Sequence, residues 1–194
     1  MRKSASLSGA YFDGLYQADA DPWKFATSPY EAAKYAETLA ALRGERASHA
    51  LEMGCSIGVL TRQLAPLCER LVATDIAPLA LSQARERCRG FGNIDYRLAH
   101  APADGIDGVF DLMVLSEIVY YWDDGDIATV GEAIARALAP GGRILLVHWT
   151  GETDYPKSGD DAVAALADRL GGLVAVERQT RHDHYRLDLW RRRI

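Results

Sequence analysis

The residues best typed and spaced for chemistry begin with the run Leu51-Glu52-Met53-Gly54-Cys55-Ser56-Ile57-Gly58-Val59-Leu60-Thr61. It carries an acid two residues before a glycine, small residues at 54, 56 and 58, and then an apolar helical start. That order predicts a strand, a tight turn and the first turn of a helix. Gly54 and Gly58 have no Cβ, so the backbone turns sharply and approaches a ligand closely. The N–H groups opening the helix point at whatever sits there. The chemistry suggested is capture of a nucleotide-like cofactor. Leu71-Val72-Ala73-Thr74-Asp75 supports it: a short buried strand ends in an acid about 20 residues after Gly54, where a carboxylate accepts hydrogen bonds from ribose hydroxyls. Ile76 follows and can pack on a base. A dinucleotide fingerprint would need a third glycine where Val59 stands.

These residues need a scaffold, and the rest of the chain supplies its outline. Residues 1 to about 47 read as a helical preface rich in aromatics, with a helix starting at Ser28-Pro29 and stopping near Gly44. Strands are expected at Ala50–Met53, Leu71–Thr74, Ile94–Leu98, Phe110–Leu115, Arg143–His148, Leu173–Arg178 and Tyr185–Trp190. Helices are expected at about Gly58–Leu67, Pro78–Arg89, Asp126–Leu138 and Asp160–Leu170. This alternation argues a doubly wound, mostly parallel α/β sheet. The last two strands are joined too closely for a crossover, so they are antiparallel. The expected architecture is a seven-stranded, Rossmann-like sheet with a C-terminal hairpin, in a single domain made of a lid (1–47) and a cofactor-binding core (48–194).

Composition sets the boundaries. A chain of 194 residues that is 48% hydrophobic and 25% charged is of single-domain size with a substantial core. Its net charge of -5 offers no basic field for nucleic acid. No apolar run reaches membrane-spanning length, and no signal peptide is visible. Cys55, Cys68 and Cys88 have no metal-type spacing and read as reduced, buried thiols of a cytoplasmic protein. No metal is expected. Arg191-Arg192-Arg193 reads as a solvated chain end.

The turn resembles motif I of class I S-adenosylmethionine-dependent methyltransferases, (D/E)-x-G-x-G-x-G, with Ser56 in place of the middle glycine. Leu138-Ala139-Pro140-Gly141-Gly142-Arg143-Ile144 resembles that family's corner into the fifth strand. The resemblance implies that Glu52, Gly54, Cys55, Ser56, Gly58, Asp75 and Ile76 bind the cofactor. It places His100 and Ala101 beside the adenine. It brings Ser116 and Glu117 to where the methionine half meets the acceptor. Methyl transfer is an in-line displacement, and the protein supplies alignment, a dry site and a base where the acceptor needs one. Glu117 and His148 are the titratable groups at the strand ends, and either can serve. Tyr120, Tyr121, Trp122 and Trp149 offer aromatic surface for stacking or for the core. The Arg181 to Tyr185 connection either borders the acceptor or is a solvated loop.

Several segments resemble the NodS-type nodulation methyltransferases more closely: Tyr11-Phe12-Asp13-Gly14-Leu15-Tyr16, Asp21-Pro22-Trp23-Lys24-Phe25, Ser28-Pro29-Tyr30-Glu31 with Lys34-Tyr35, Ser116-Glu117-Ile118-Val119-Tyr120-Tyr121, and His148-Trp149 with Asp154-Tyr155-Pro156. Those proteins methylate an amine of a deacetylated glucosamine on a chitooligosaccharide. The resemblance implies S-adenosylmethionine as cofactor and a sugar or amino-sugar acceptor. It implies a lid in which Trp23, Tyr30 and Lys34 fold over the cofactor. Nitrogen and oxygen acceptors both stay open. So do two other readings: a cofactor-binding, scaffolding domain of a larger biosynthetic protein, and an NAD-dependent reductase.

Overall fold

The computed structural model describes residues 2–194. Its main elements are α1 (Gly9–Ala18), α2 (Pro29–Ala41), β1 (Ala47–Met53), α3 (Val59–Leu64), β2 (Cys68–Asp75), α4 (Pro78–Arg87), β3 (Ile94–Leu98), β4 (Phe110–Ser116), α5 (Asp124–Ala137), β5 (Leu138–Trp149), α6 (Gly159–Leu170), β6 (Val174–Arg181) and β7 (Tyr185–Arg192). The seven strands make one mixed sheet in the order β3-β2-β1-β4-β5-β7-β6. The doubly wound sheet with a terminal antiparallel hairpin is therefore present. The chain divides into two compact units: Ser8–His100, and Ala101–Ile194 together with the residues up to Leu7.

In the first unit β1 pairs in parallel with β2, from Ala47↔Cys68 to Met53↔Thr74, and β2 in parallel with β3, from Leu71↔Ile94 to Asp75↔Leu98. The register brings the carboxyl ends of β1 and β2 side by side, so the turn after Met53 and the acid Asp75 emerge on one edge. The helix after the turn is shorter than expected: α3 ends at Leu64, and a 3-10 turn, Ala65–Leu67, follows. Pro66 has no N–H to continue the ladder. In α2, Ser28 Oγ accepts from Glu31 N at 3.4 Å with Pro29 at the first position, a cap of about 1 kcal/mol. α1 packs on α4 and buries Phe12 and Tyr16.

Gly58 shows how tightly this unit is built. It has φ 80°, and a Cβ there would lie 2.8 Å from Ala84 Cα and 2.9 Å from Ala84 Cβ on α4. The passage of α3 across α4 by itself requires that Gly58 lack a Cβ. Gly58→Ala is therefore expected to cost roughly 2–3 kcal/mol, from the left-handed backbone and overpacking together. Urea melts of the two proteins check this; a midpoint within error of the parent would show that the contact relaxes freely.

In the second unit β4 pairs in parallel with β5, and β5 pairs antiparallel with β7, from Arg143↔Arg191 to Trp149↔Tyr185. β6 is the outer strand, antiparallel to β7. Leu112–Leu115 and Ile144–Val147 are at most 1% exposed, as expected for strands covered on both faces. β5 starts five residues before the expected Arg143, because the pairing jumps from Phe110↔Leu138 to Leu112↔Arg143 and accommodates the Ala139–Gly142 corner as an irregularity. α5 is capped by Asp123, which accepts from Asp126 N at 3.0 Å, and α6 by Ser158, which accepts from Asp161 N at 3.0 Å. The basic C-terminal run is not a solvated end. Arg192 donates to the Ala135 and Leu138 carbonyls, satisfying the last turn of α5, and Arg191 pairs with Glu177 and donates to the Gly141 carbonyl. Among the described residues no helix is long and apolar enough to cross a membrane.

Candidate functional site

The first unit assembles its site where β1 and β2 end. The Thr74 carbonyl accepts from both Gly54 N and Cys55 N at 2.8 Å, which pins the turn to β2. Ser56 N donates to Asp75 Oδ2 at 2.7 Å, and Ala77 N donates to Asp75 Oδ1 at 2.9 Å. Gly58 N donates to the Cys55 carbonyl. These donors are spent within the turn and on the end of β2, so they hold the turn's own shape. What the turn presents is shape, and next to it a carboxylate whose two oxygens each hold one backbone hydrogen bond and can accept one more.

Burial decides the electrostatics. Asp75 is 8% exposed, and its carboxyl is pushed up to about 6, burial outweighing the backbone hydrogen bonds that favour its charge. It remains mostly ionised at neutral pH. Glu52, 2% exposed, is pushed up to about 8 by burial, with the Thr61 hydroxyl offsetting part of the rise and Asp75 adding to it. Its Oε2 has no hydrogen-bond partner among the described residues. Cys55 is buried and held as a neutral thiol by the same loss of solvent, so it fills the turn and is no nucleophile.

The preface residues fall into two groups. Trp23 lies edge-on to Tyr16, with ring centroids 5.7 Å apart, and stacks on Phe25. Tyr16 reaches Ser56 Oγ at 2.6 Å. Tyr30 and Lys34 belong to a separate cluster: the Lys34 ammonium, 2% exposed, pairs with Glu31 at 2.9 Å and lies 5.5 Å from the Tyr30 ring centre. The structure thus commits Lys34 to an ion pair inside α2. Ile76 lies beside Gly9 of α1, and His100 is exposed near the same helix.

The second unit holds the other candidates. Ser116 ends β4 and is half-buried; Ala101 is half-buried at the start of this unit. Glu117 follows at φ 57°, a left-handed value that a non-glycine residue adopts at a cost of roughly 1–2 kcal/mol. It lies two residues before the 3-10 turn Val119–Tyr121, and α5 begins only at Asp124. Its Oε2 accepts from the Tyr120 hydroxyl at 2.6 Å and from Trp149 N at 2.8 Å. Burial and the neighbouring Glu117 push the Tyr120 phenol up, so it stays a donor.

His148 is fully buried, and its Nε2 accepts from Val119 N at 3.1 Å. An imidazole nitrogen that accepts from a backbone N–H carries no proton and has no lone pair left for a substrate. Tyr120, Tyr121 and Tyr155 pack together beside it, Tyr120 and Tyr155 stacked at 5.2 Å. Because β7 is antiparallel to β5, the connection before Tyr185 returns to the carboxyl end of β5, and His184 stacks on Trp149 at 5.1 Å.

Residues 15–150 match the model of the family described as Nodulation protein S (NodS). A nodulation protein S of Rhizobium tropici is 35% identical over 129 residues, 64% of this chain and 53% of that protein. One from Bradyrhizobium diazoefficiens is 40% identical over 106 residues, 54% of this chain and 50% of that protein. The chain spans about half the length of these curated relatives. The N-methyltransferase NodS from Bradyrhizobium japonicum WM9, solved in complex with S-adenosyl-L-homocysteine, aligns with a TM-score of 0.80 at 24% identity over 93% of this chain and 99% of that one. The likeness is one of fold.

Proposed function

The chain belongs to the nodulation protein S family, and on that premise we propose that it transfers a methyl group from S-adenosylmethionine to an amino group of a sugar-derived small molecule. When bound, the cofactor supplies an activated methyl on a sulfonium. The residues of the first unit fit such a group. Asp75 is an ionised, buried carboxylate with capacity for two hydroxyl donors, the turn from Gly54 to Gly58 gives a close surface, and Glu52 holds a buried polar atom without a partner. Asp75→Ala is expected to weaken S-adenosylhomocysteine binding by roughly 1–3 kcal/mol. Calorimetry reads this directly; an unchanged affinity would remove Asp75 from the cofactor site.

The observation that carries the choice of acceptor is Glu117, held by Tyr120 and the Trp149 N–H. A carboxylate in that setting is an oriented hydrogen-bond acceptor and a negative charge. It is a far weaker base than a sugar alkoxide, so it suits holding an N–H and directing a lone pair better than ionising a hydroxyl. His148 does not replace it, since its Nε2 is occupied by Val119. It positions the 3-10 turn Val119–Tyr121 that carries Tyr120. An amine acceptor needs only to be neutral and aimed. A sugar framework fits the partly exposed Trp149–His184 stack. A cytoplasmic site of action and the absence of any role for metal, nucleic acid or membrane belong to the same proposal.

The test is mass spectrometry after incubation with S-adenosylmethionine and matched amino and hydroxyl sugars. Methylation confined to amino sugars is expected, with a rate that follows deprotonation of the acceptor amine. Methylation only of hydroxyl sugars would overturn the choice of nitrogen, and methylation only of a non-saccharide would overturn the acceptor class.

A further inference from the structure

The first unit contains a side-chain hydrogen bond that no sequence pattern announces, between the Tyr16 hydroxyl on α1 and Ser56 Oγ in the turn, 2.6 Å apart. Ser56 stands at φ 50°, in the left-handed region that glycine enters freely. Its N–H is the donor that holds Asp75 Oδ2. One residue thus joins α1 to the acid assigned to the ribose.

The rest of α1 follows the same line. Gly9, Asp13 and Tyr16 are spaced i, i+4 and i+7, which puts them on one helical face. A Cβ on Gly9 would come within 3.3 Å of Ile76 Cγ1. The charge of Asp13 bears on Asp75, and Tyr16 reaches Ser56. This face therefore runs along Ile76, Asp75 and Ser56, three of the residues assigned to the cofactor. Tyr16 is 6% exposed, and its phenol is kept neutral by burial first and the Asp75 charge second. The bond is thus present across the working pH range.

We infer that Tyr16 is a positioning residue for the cofactor, acting through Ser56: its hydroxyl fixes Ser56 in the left-handed well, and the Ser56 N–H then fixes the Asp75 carboxylate in the orientation that receives a ribose. This rests on the assignment of Asp75 to the cofactor. It also gives Ser56 a role at the place where the family pattern has glycine. A glycine takes the same backbone angle without strain but offers nothing for Tyr16 to hold.

The experiment measures calorimetric affinity for S-adenosylhomocysteine and for adenosine, together with melting temperature, on Tyr16→Phe, Ser56→Gly and the double variant. Each single change is expected to weaken both ligands roughly fivefold. The double variant should be no weaker than the singles, because both remove one bond. Ser56→Gly should melt no lower than the parent, since glycine tolerates the positive φ, so its affinity falls while its stability does not. A purely structural bond would move the two together. Parental affinity in Tyr16→Phe, losses that multiply in the double variant, or affinity that falls only in step with stability would each overturn the inference. A parent protein that binds neither ligand would instead overturn the cofactor assignment, before any variant is compared.

Discussion

Between pH 6 and pH 8 the protein without ligand is expected to lose roughly 2 kcal/mol of folding stability, and Glu52→Gln is expected to abolish most of that slope. Glu52 is buried at the end of β1, and its carboxyl titrates at about 8 in the fold against an ordinary 4.5. Between those values the folded chain binds a proton that the unfolded chain has released. Stability therefore falls as pH rises through the window, and the contribution is fully present only below about 4.5. Over the whole window it amounts to about 5 kcal/mol. Asp75 acts with the same sign at lower pH, between its ordinary 3.8 and about 6, so above pH 6 the slope is mainly that of Glu52. The thiols of Cys55 and Cys88 are pushed above their ordinary 9.0 and stay silent there. Denaturant melts at pH 5, 6, 7 and 8 give the measurement. A flat parent curve from pH 6 to 8, or a slope that survives in Glu52→Gln, would show that Glu52 is ionised in the fold.

Glu117→Gln is expected to lower turnover about 100-fold, or about 2.7 kcal/mol in the barrier, with little change in cofactor affinity. The glutamine carbonyl can still accept from the Tyr120 hydroxyl and Trp149 N–H, so the strained turn keeps its supports. What disappears is the negative charge facing the acceptor. Tyr120→Phe removes one of the two donors and should cost less. His148→Gln should act mainly on stability, because the imidazole holds the Val119 N–H and touches no reacting atom in this reading. Steady-state kinetics on the three variants, with calorimetry for the cofactor, distinguish these effects. Turnover in Glu117→Gln within a few-fold of the parent would show that the acceptor is oriented by other groups.

Local patterns along the chain determine a large part of this protein. The acid, small-residue turn and apolar start at 51–61 set a strand, a turn and a helix, because each depends on residues within one or two turns of one another. Ser28-Pro29 marks a helix start for the same reason: a cap is a bond across three residues. The close spacing of the last two strands fixes their antiparallel sense, since no crossover fits. The tertiary structure decided the rest. It placed β7 between β5 and β6, which hairpin geometry leaves open. It set Ala84 against Gly58, Tyr16 against Ser56 and Val119 against His148. Each pair is 26 to 40 residues apart, beyond the reach of any periodicity. It also chose left-handed angles for Ser56 and Glu117, whose side chains show no preference for them. Residue type and short-range order write the elements and name the acids; which lone pair is already taken, and by which neighbour, is set only when distant segments pack.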